Sequence, residues 1–169
     1  PGFNARRVAV LWPCKGVEPG LERNLVSLTE FSHQNYEIFF MLASGSDPAH
    51  GIVKRVAAAS RPKAHVIIAE APEGCGEKVN NLRVAVQQIP AEFDVFVFTV
   101  SDGRPARHWL KQLVAPLADA TLGAASTFRW YFRRQRGFFS ALASAWNAPA
   151  VTYLGKQQHH FCWRGGTPI

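Results

Sequence analysis

The 169-residue sequence lacks a long apolar run and has only three cysteines and few acidic residues. No stretch approaches the ~20 consecutive apolar residues of a membrane-spanning helix. Cys14, Cys75 and Cys162 are odd in number and far apart, which argues against a disulfide framework and indicates a reducing compartment. The start carries no signal-peptide pattern. With 47% hydrophobic and 18% charged residues, the chain predicts one globular domain with its own core.

Several catalytic signatures are also missing. The dinucleotide fingerprint G-x-G-x-x-G and the phosphate loop G-x-x-x-x-G-K do not follow the first predicted strand, which argues against a dehydrogenase or an ATPase. There is no G-x-S-x-G elbow, and no cysteine and histidine are placed as a nucleophile pair. His159 and His160 are adjacent, so on a strand they would point to opposite faces and not share a metal.

What the chain has in excess is positive charge. Nineteen basic residues against twelve acidic ones leave a net charge of +7, which favours phosphates, nucleic acid or an acidic membrane surface as partners. Residues 128–139, here called the basic-aromatic segment, hold four arginines among six aromatic residues. Such a segment could stack on RNA bases, lie on an anionic membrane, or be part core and part solvated surface.

Short apolar runs alternate with helical patterns along the chain. Strands are predicted over residues 7–12, 36–43, 64–69, 95–100 and 121–127, with a further one possible over 157–163. Helices are predicted over residues 21–31, 51–59, 105–117 and 140–147, and another begins near Lys78. In the latter, Val79, Leu82, Val86 and Ile89 are predicted to face inward. This alternation predicts an α/β fold, a mainly parallel sheet with helices on both faces and no internal domain boundary.

The strand predicted over residues 95–100 is the central element of the predicted fold. It is apolar except for Thr99, as in a strand buried on both faces, and leads directly into Ser101-Asp102-Gly103-Arg104-Pro105. Ligands of open α/β sheets bind beyond the carboxyl ends of the strands. Asp102 is therefore a candidate ligand residue, although locally it could simply start a turn or cap a helix.

Polar residues follow other predicted strands as well. Lys15 follows the first strand, Asp47 follows the second, and Lys78 lies at a helix start. Lysines and helix N-termini suit a diphosphate, and carboxylates suit a divalent metal or ribose hydroxyls. Asp47 also precedes Pro48 in the way that an N-cap precedes the first helical residue.

Four motifs in register resemble those of the family 2-like (family 21) glycosyltransferases, which include ceramide glucosyltransferases. Pro13-Cys14-Lys15-Gly16-Val17-Glu18-Pro19 resembles their Pro-x-Lys-Gly-Val-Asp-Pro loop, and Ser46-Asp47-Pro48-Ala49 their Asp-Asp-Pro-Ala. Lys78-Val79-Asn80-Asn81-Leu82 is similar to Lys-Ile-Asn-Asn-Leu, and Ser101 to Pro105 fall where bacterial relatives carry Asp-Ser-Asp-x-Arg-Pro. Trp163 with Gly165-Gly166 resembles a later Trp-Gly-Gly segment.

The resemblance implies a GT-A fold, with residues 1–169 as a single nucleotide-sugar-binding domain. It implies inverting transfer of a hexose, with glucose favoured, from a UDP-sugar to a membrane lipid such as ceramide, assisted by Mg²⁺ or Mn²⁺ as a Lewis acid. Asp102 is the implied metal ligand and catalytic residue. The implied nucleotide-sugar-binding residues are Lys15, Gly16, Asp47, Lys78, Asn81 and Asp102. Of these, the resemblance implies Lys15 and Asp47 on the uridine-ribose side and Lys78 near the diphosphate.

A lipid acceptor also places the site near a bilayer, so membrane contact is favoured for the basic-aromatic segment and nucleic acid is disfavoured. The predicted location is the cytoplasmic face of a membrane, peripheral or anchored by segments missing from this chain. The predicted membrane contacts are Arg129, Trp130, Arg133, Arg134, Arg136, Phe138 and Phe139.

The sequence departs from the family pattern in two respects. Val100 stands where the first aspartate of the Asp-x-Asp pair is expected, and the glutamate that bacterial relatives carry near Gly45 is absent. The catalytic base and the Gln-x-x-Arg-Trp motif would follow the last residue, and Pro1 is no natural initiator, so we expect a piece of a longer protein. The alternative prediction is therefore a degenerate domain that binds a nucleotide-sugar or an anionic surface without turnover.

Overall fold

The computed structural model describes residues 6–72, 74–101, 103–127, 142 and 145. Within these residues, four strands form one parallel sheet: β1 (Val8–Pro13), β2 (Tyr36–Leu42), β3 (Ala64–Ile68) and β4 (Val95–Phe98). The strand order is β3-β2-β1-β4, which places β1 centrally, next to β4. Because all four strands are parallel, their carboxyl ends meet at one edge, as the alternating pattern predicted.

Helices cover both faces of the sheet. They are α1 (Leu21–Leu28), α2 (His50–Ala59), α3 (Glu77–Gln88) and α4 (Trp109–Val114), the last continuing into a 3₁₀ turn over Ala115–Ala118. Apolar residues of α1, α2 and α4 pack with Val8 and Val10 on one face, and α3 packs with Ala9 and Leu11 on the other. Successive strand residues point to opposite faces, so this division follows from the strand geometry and confirms the predicted architecture.

The fifth strand predicted over residues 121–127 is wrong. The chain turns after the 3₁₀ helix, and only Ser126 forms an isolated β-bridge. The Asp119 carboxylate accepts hydrogen bonds from the Thr121 backbone N–H at 2.9 Å and from its hydroxyl at 2.7 Å. These local bonds close a turn, which competes with extended pairing at the start of the predicted strand.

The predicted inner face of α3 is partly wrong as well. Val79 and Val86 are 59% and 41% exposed, whereas Asn80 and Asn81 are 2% and 1% exposed. The Asn80 side-chain amide donates to the Ala69 and Glu70 carbonyls, at 3.2 and 3.3 Å, and so ties α3 to the chain that follows β3. These tertiary hydrogen bonds determine which side of α3 faces the sheet, against the apolar pattern of the helix.

The basic-aromatic segment and the strand predicted over residues 157–163 lie outside the described residues. Of the helix predicted over residues 140–147, the structure describes Leu142 and Ala145, which are helical. None of the helices within the described ranges combines the length and apolarity that crossing a bilayer requires.

Candidate functional site

A cavity of about 380 Å³ opens at the carboxyl edge of the sheet. Three separate parts of the chain form its wall: the end of β1 with the loop after it, the first turns of α3, and the residues after β4. The described residues that line it are Pro13, Cys14, Lys15, Glu77, Lys78, Asn81, Val100 and Ser101. Three of the predicted site residues, Lys15, Lys78 and Asn81, therefore share one cavity.

Hydrogen bonds hold the residues after β4 against their neighbours. The Thr99 hydroxyl donates to the Leu11 carbonyl of β1 at 2.8 Å, and the Asn24 side-chain amide of α1 donates to the Ser101 carbonyl at 3.4 Å. Thr99 is buried, so the one polar residue in the predicted apolar run serves to join β4 to β1. The part of the cavity wall that follows β4 is therefore attached to β1.

Lys15 and Glu77 form an ion pair between two walls of the cavity. The Lys15 ammonium lies 2.8 Å from the Glu77 carboxylate, and the two residues are 62 positions apart in sequence. The hydrogen bond and the negative charge of Glu77 raise the pKa of Lys15 above its ordinary value. Lys15 therefore remains cationic, and in the structure Glu77 is its counter-ion in the cavity wall.

The first turn of α3 contributes a second lysine. Lys78 is exposed and follows Glu77, which is the first residue of the helix. The N-cap is Gly76, which has no side chain to satisfy the first backbone N–H groups. Their partial positive charge and the Lys78 ammonium make this wall of the cavity suited to an anion.

Asn81 is the most buried polar group in the wall. The residue is 1% exposed, and its Oδ1 finds no hydrogen-bond partner among the residues that the structure describes. A buried oxygen left without a donor costs about 1–3 kcal/mol of stability. Asn81 lines the cavity, so a bound molecule with an N–H or O–H group can supply this donor.

Asp47 is placed differently from the prediction. Helix α2 begins at His50 with Ala49 as its N-cap, so the N-cap prediction for Asp47 is wrong. Its carboxylate oxygens instead accept the Gly16 backbone N–H at 3.0 and 3.2 Å, and Oδ1 also accepts the Ala49 N–H at 2.8 Å. Gly16 has φ of 60°, a conformation that glycine adopts without strain. Asp47 thus ties the loop after β2 to the loop that carries Lys15, and neither Gly16 nor Asp47 is among the described lining residues.

The position expected to hold a metal is only partly described. Val100 lines the cavity beside Ser101 and offers no metal ligand, whereas Asp102 lies outside the described residues. Within the described ranges, no three His, Cys, Asp or Glu side chains form a group that could hold a metal ion. The metal-binding and catalytic roles of Asp102 stay predictions, and so do the membrane contacts of the basic-aromatic segment.

Two lining residues, Cys14 and Glu77, were not anticipated from the sequence. Burial, with smaller contributions from the charges of Asp47 and Glu18, raises the pKa of the Cys14 thiol to about 12. Cys14 is therefore a neutral thiol near pH 7 and a poor nucleophile, since the thiolate is the reactive form. Glu77 precedes the predicted helix start near Lys78, and nothing in its local sequence indicated the contact with Lys15.

Comparisons with known proteins agree with this geometry. Residues 2–149 match the sequence profile of glycosyl transferase family 21. A search of curated proteins found no match. The profile covers every element that builds the cavity and both of its lysines.

Solved structures share the fold. A mannosyltransferase from Pyrobaculum calidifontis, in complex with GDP-Man and Mn²⁺, is 25% identical with a TM-score of 0.65 and aligns over 76% of this chain and 37% of its own. S. aureus TarS 1–349 is 19% identical with a TM-score of 0.56, over 78% and 37%. Glucosyl-3-phosphoglycerate synthase from Mycobacterium tuberculosis, in complex with Mn²⁺, UDP-Glc and phosphoglyceric acid, is 17% identical with a TM-score of 0.54, over 98% and 56%. The chain thus has the GT-A fold and spans about a third to just over half the length of these proteins.

Proposed function

The chain belongs to glycosyl transferase family 21, and we propose that its cavity binds the nucleotide-sugar donor of an inverting hexosyl transfer. One observation carries the proposal: Asn81, whose buried side-chain oxygen has no partner within the described ranges, lines the same cavity as two lysines. A nucleotide-sugar matches both features, since its diphosphate suits the lysines and its hydroxyl and N–H groups suit the oxygen.

Each group has a distinct part in the proposed transfer. Lys15, Lys78 and the first N–H groups of α3 stabilise the negative charge that grows on the diphosphate as it leaves the sugar. Asn81 accepts a hydrogen bond from the sugar, the ribose or the base, and so orients the donor. Asp47 acts through Gly16, by holding the loop that presents Lys15.

The finer parts of the proposal rest on the family resemblance and on two related structures. Those two structures are complexes with GDP-Man and Mn²⁺ and with UDP-Glc and Mn²⁺, which supports a nucleotide-sugar donor and a divalent metal here. We propose UDP-glucose as the donor, a membrane lipid such as ceramide as the acceptor, and the cytoplasmic face of a membrane as the location. A Mg²⁺ or Mn²⁺ ion would polarise the diphosphate, and the residue proposed to hold it is Asp102.

The second candidate is a domain that binds the donor without turnover. Val100 favours it, because an apolar side chain lines the cavity where the family's first metal-binding aspartate is expected. Both candidates predict donor binding, and they differ in whether a metal strengthens it. Metal dependence is therefore the property that separates them.

Calorimetric titration of UDP with and without Mn²⁺ tests the proposal. We expect UDP binding that Mn²⁺ strengthens about tenfold or more, and we expect Asp102→Ala to remove this enhancement while leaving the folded fraction unchanged. The physical reason is that Asp102→Ala removes the carboxylate through which the metal ion would link the protein to the diphosphate. UDP binding that is indifferent to Mn²⁺ and to Asp102 would favour the second candidate, and no UDP binding at all would refute both.

Membrane contact by the basic-aromatic segment is tested by co-sedimentation with vesicles. We expect the chain to sediment with vesicles containing about 30% anionic lipid and to remain in solution with neutral ones, because arginines near an anionic surface each contribute ~1 kcal/mol. Replacing Arg133, Arg134 and Arg136 by glutamine should release it. Equal sedimentation with both kinds of vesicle, or none with either, would contradict the proposal.

A further inference from the structure

Glu77 occupies a position in the cavity that the proposed donor function does not explain. An anion site is expected to carry positive charge, yet this carboxylate lines the cavity and contacts Lys15 at 2.8 Å. The Glu77 side chain is 29% exposed and that of Lys15 is 75% exposed. The carboxylate is thus the more enclosed partner, and the ammonium is the one that an incoming ligand reaches first.

We propose that Glu77 is an internal competitor for Lys15, which a diphosphate must displace on binding and which recaptures the ammonium on release. The inference rests on the proposed donor function of the same cavity. Without ligand, the carboxylate occupies the place of an anion at Lys15. With ligand, the carboxylate and the diphosphate are like charges in one small cavity and repel each other.

The proposed competition predicts how the affinity of the cavity depends on the charge of the ligand. It weakens the binding of every anionic ligand in proportion to its charge, and it has no effect on a neutral one. Since the nucleoside diphosphate is the charged product of the proposed transfer, Glu77 would also speed its release. The pair is solvent-exposed, and exposed pairs are weak, so we expect an effect of about three- to fivefold on affinity.

The first experiment compares three ligands by calorimetry: UDP, UMP and uridine, each titrated at low ionic strength into the wild-type chain and into Glu77→Gln. We expect Glu77→Gln to bind UDP about three- to fivefold more tightly, UMP by a smaller factor, and uridine equally. The matched control is Glu18→Gln, because Glu18 lies on the same loop as Lys15 and forms no ion pair with it in the described structure. The control should change UDP affinity by less than twofold.

The second experiment separates competition for the ammonium from simple repulsion. In a Lys15→Gln background the ammonium is gone, so Glu77→Gln should improve UDP binding by a clearly smaller factor than in the wild type. Thermal unfolding of each variant checks that losing the first-turn carboxylate, which interacts favourably with the N-terminus of α3, does not unfold the chain.

The possible outcomes distinguish this inference from the function on which it rests. If the wild type binds UDP and Glu77→Gln binds it equally or more weakly, Glu77 is no competitor and the inference is overturned. An equal gain for uridine and UDP overturns it too, because the effect would not depend on ligand charge. If neither chain binds UDP, the donor function itself is refuted.

Discussion

Asn81→Leu is expected to weaken UDP binding by about tenfold or more and, at the same time, to raise the free energy of unfolding by about 1 kcal/mol. The two changes have one cause. The buried Asn81 oxygen lacks a donor within the described part of the chain, so the folded protein bears its desolvation cost until a ligand pairs with it. Leucine has a similar branched shape and no polar atom, so it removes both the cost and the ligand contact.

Urea unfolding and calorimetric titration of UDP measure the two effects separately. Asn80→Leu is the matched control, because Asn80 is the preceding residue of α3 and is almost equally buried. Its side chain is fully used, donating to two carbonyls and accepting from Arg83 at 3.1 Å. We expect this control to lower the free energy of unfolding by about 2 kcal/mol. Similar destabilisation by both leucine variants, or unchanged UDP affinity in Asn81→Leu, would show that Asn81 is a structural residue.

Asp47→Ala is expected to lower the free energy of unfolding by about 2 kcal/mol and to weaken UDP binding by about tenfold. The alanine leaves the Gly16 and Ala49 backbone N–H groups without their carboxylate acceptor, and hydrogen bonds to a charged group are worth ~1.5–3 kcal/mol. The loop that carries Lys15 then loses its attachment to the loop after β2. The affinity falls because ordering this loop becomes part of the cost of binding.

Asp47→Asn is the control for this prediction. Its side-chain oxygen can still accept the Gly16 N–H, so we expect it to recover at least half of both losses. Chemical unfolding and UDP titration at a temperature where every variant is folded measure the outcome. If Asp47→Ala binds UDP as the wild type does, Asp47 supports only the fold. If Asp47→Asn is as weak as Asp47→Ala, an acceptor oxygen at this position is not enough and the negative charge of Asp47 is required.

Much of the architecture could be predicted from local sequence. Apolar runs of four to eight residues separated by helical periodicity predicted four of the observed strands to within about two residues at each end. The prediction failed at residues 121–127, because the Asp119 turn at their start outweighs a moderate strand propensity. The motifs around Lys15, Asp47 and Lys78 also pointed to the edge of the sheet where the cavity lies.

The site itself was harder to predict, because its geometry depends on contacts between distant residues. The family resemblance implied that both Asn81 and Asp47 bind the nucleotide-sugar. In the structure, Asn81 lines the cavity and its buried oxygen has no partner among the described residues, whereas the Asp47 carboxylate accepts hydrogen bonds from two backbone N–H groups. No periodicity encodes this difference, since both are polar residues next to apolar ones.

The sequence by itself determined the alternation of strands and helices, the parallel sheet that follows from it, and the family to which the chain belongs. These depend on local periodicity and on motif order, which the chain carries without reference to its folded state. Only the tertiary structure decided that α3 turns two asparagines inward, that Asp47 binds Gly16, and that Glu77 reaches Lys15 across 62 positions. Each of these depends on contacts and burial that arise only when parts of the chain far apart in sequence pack together, so local sequence does not encode them.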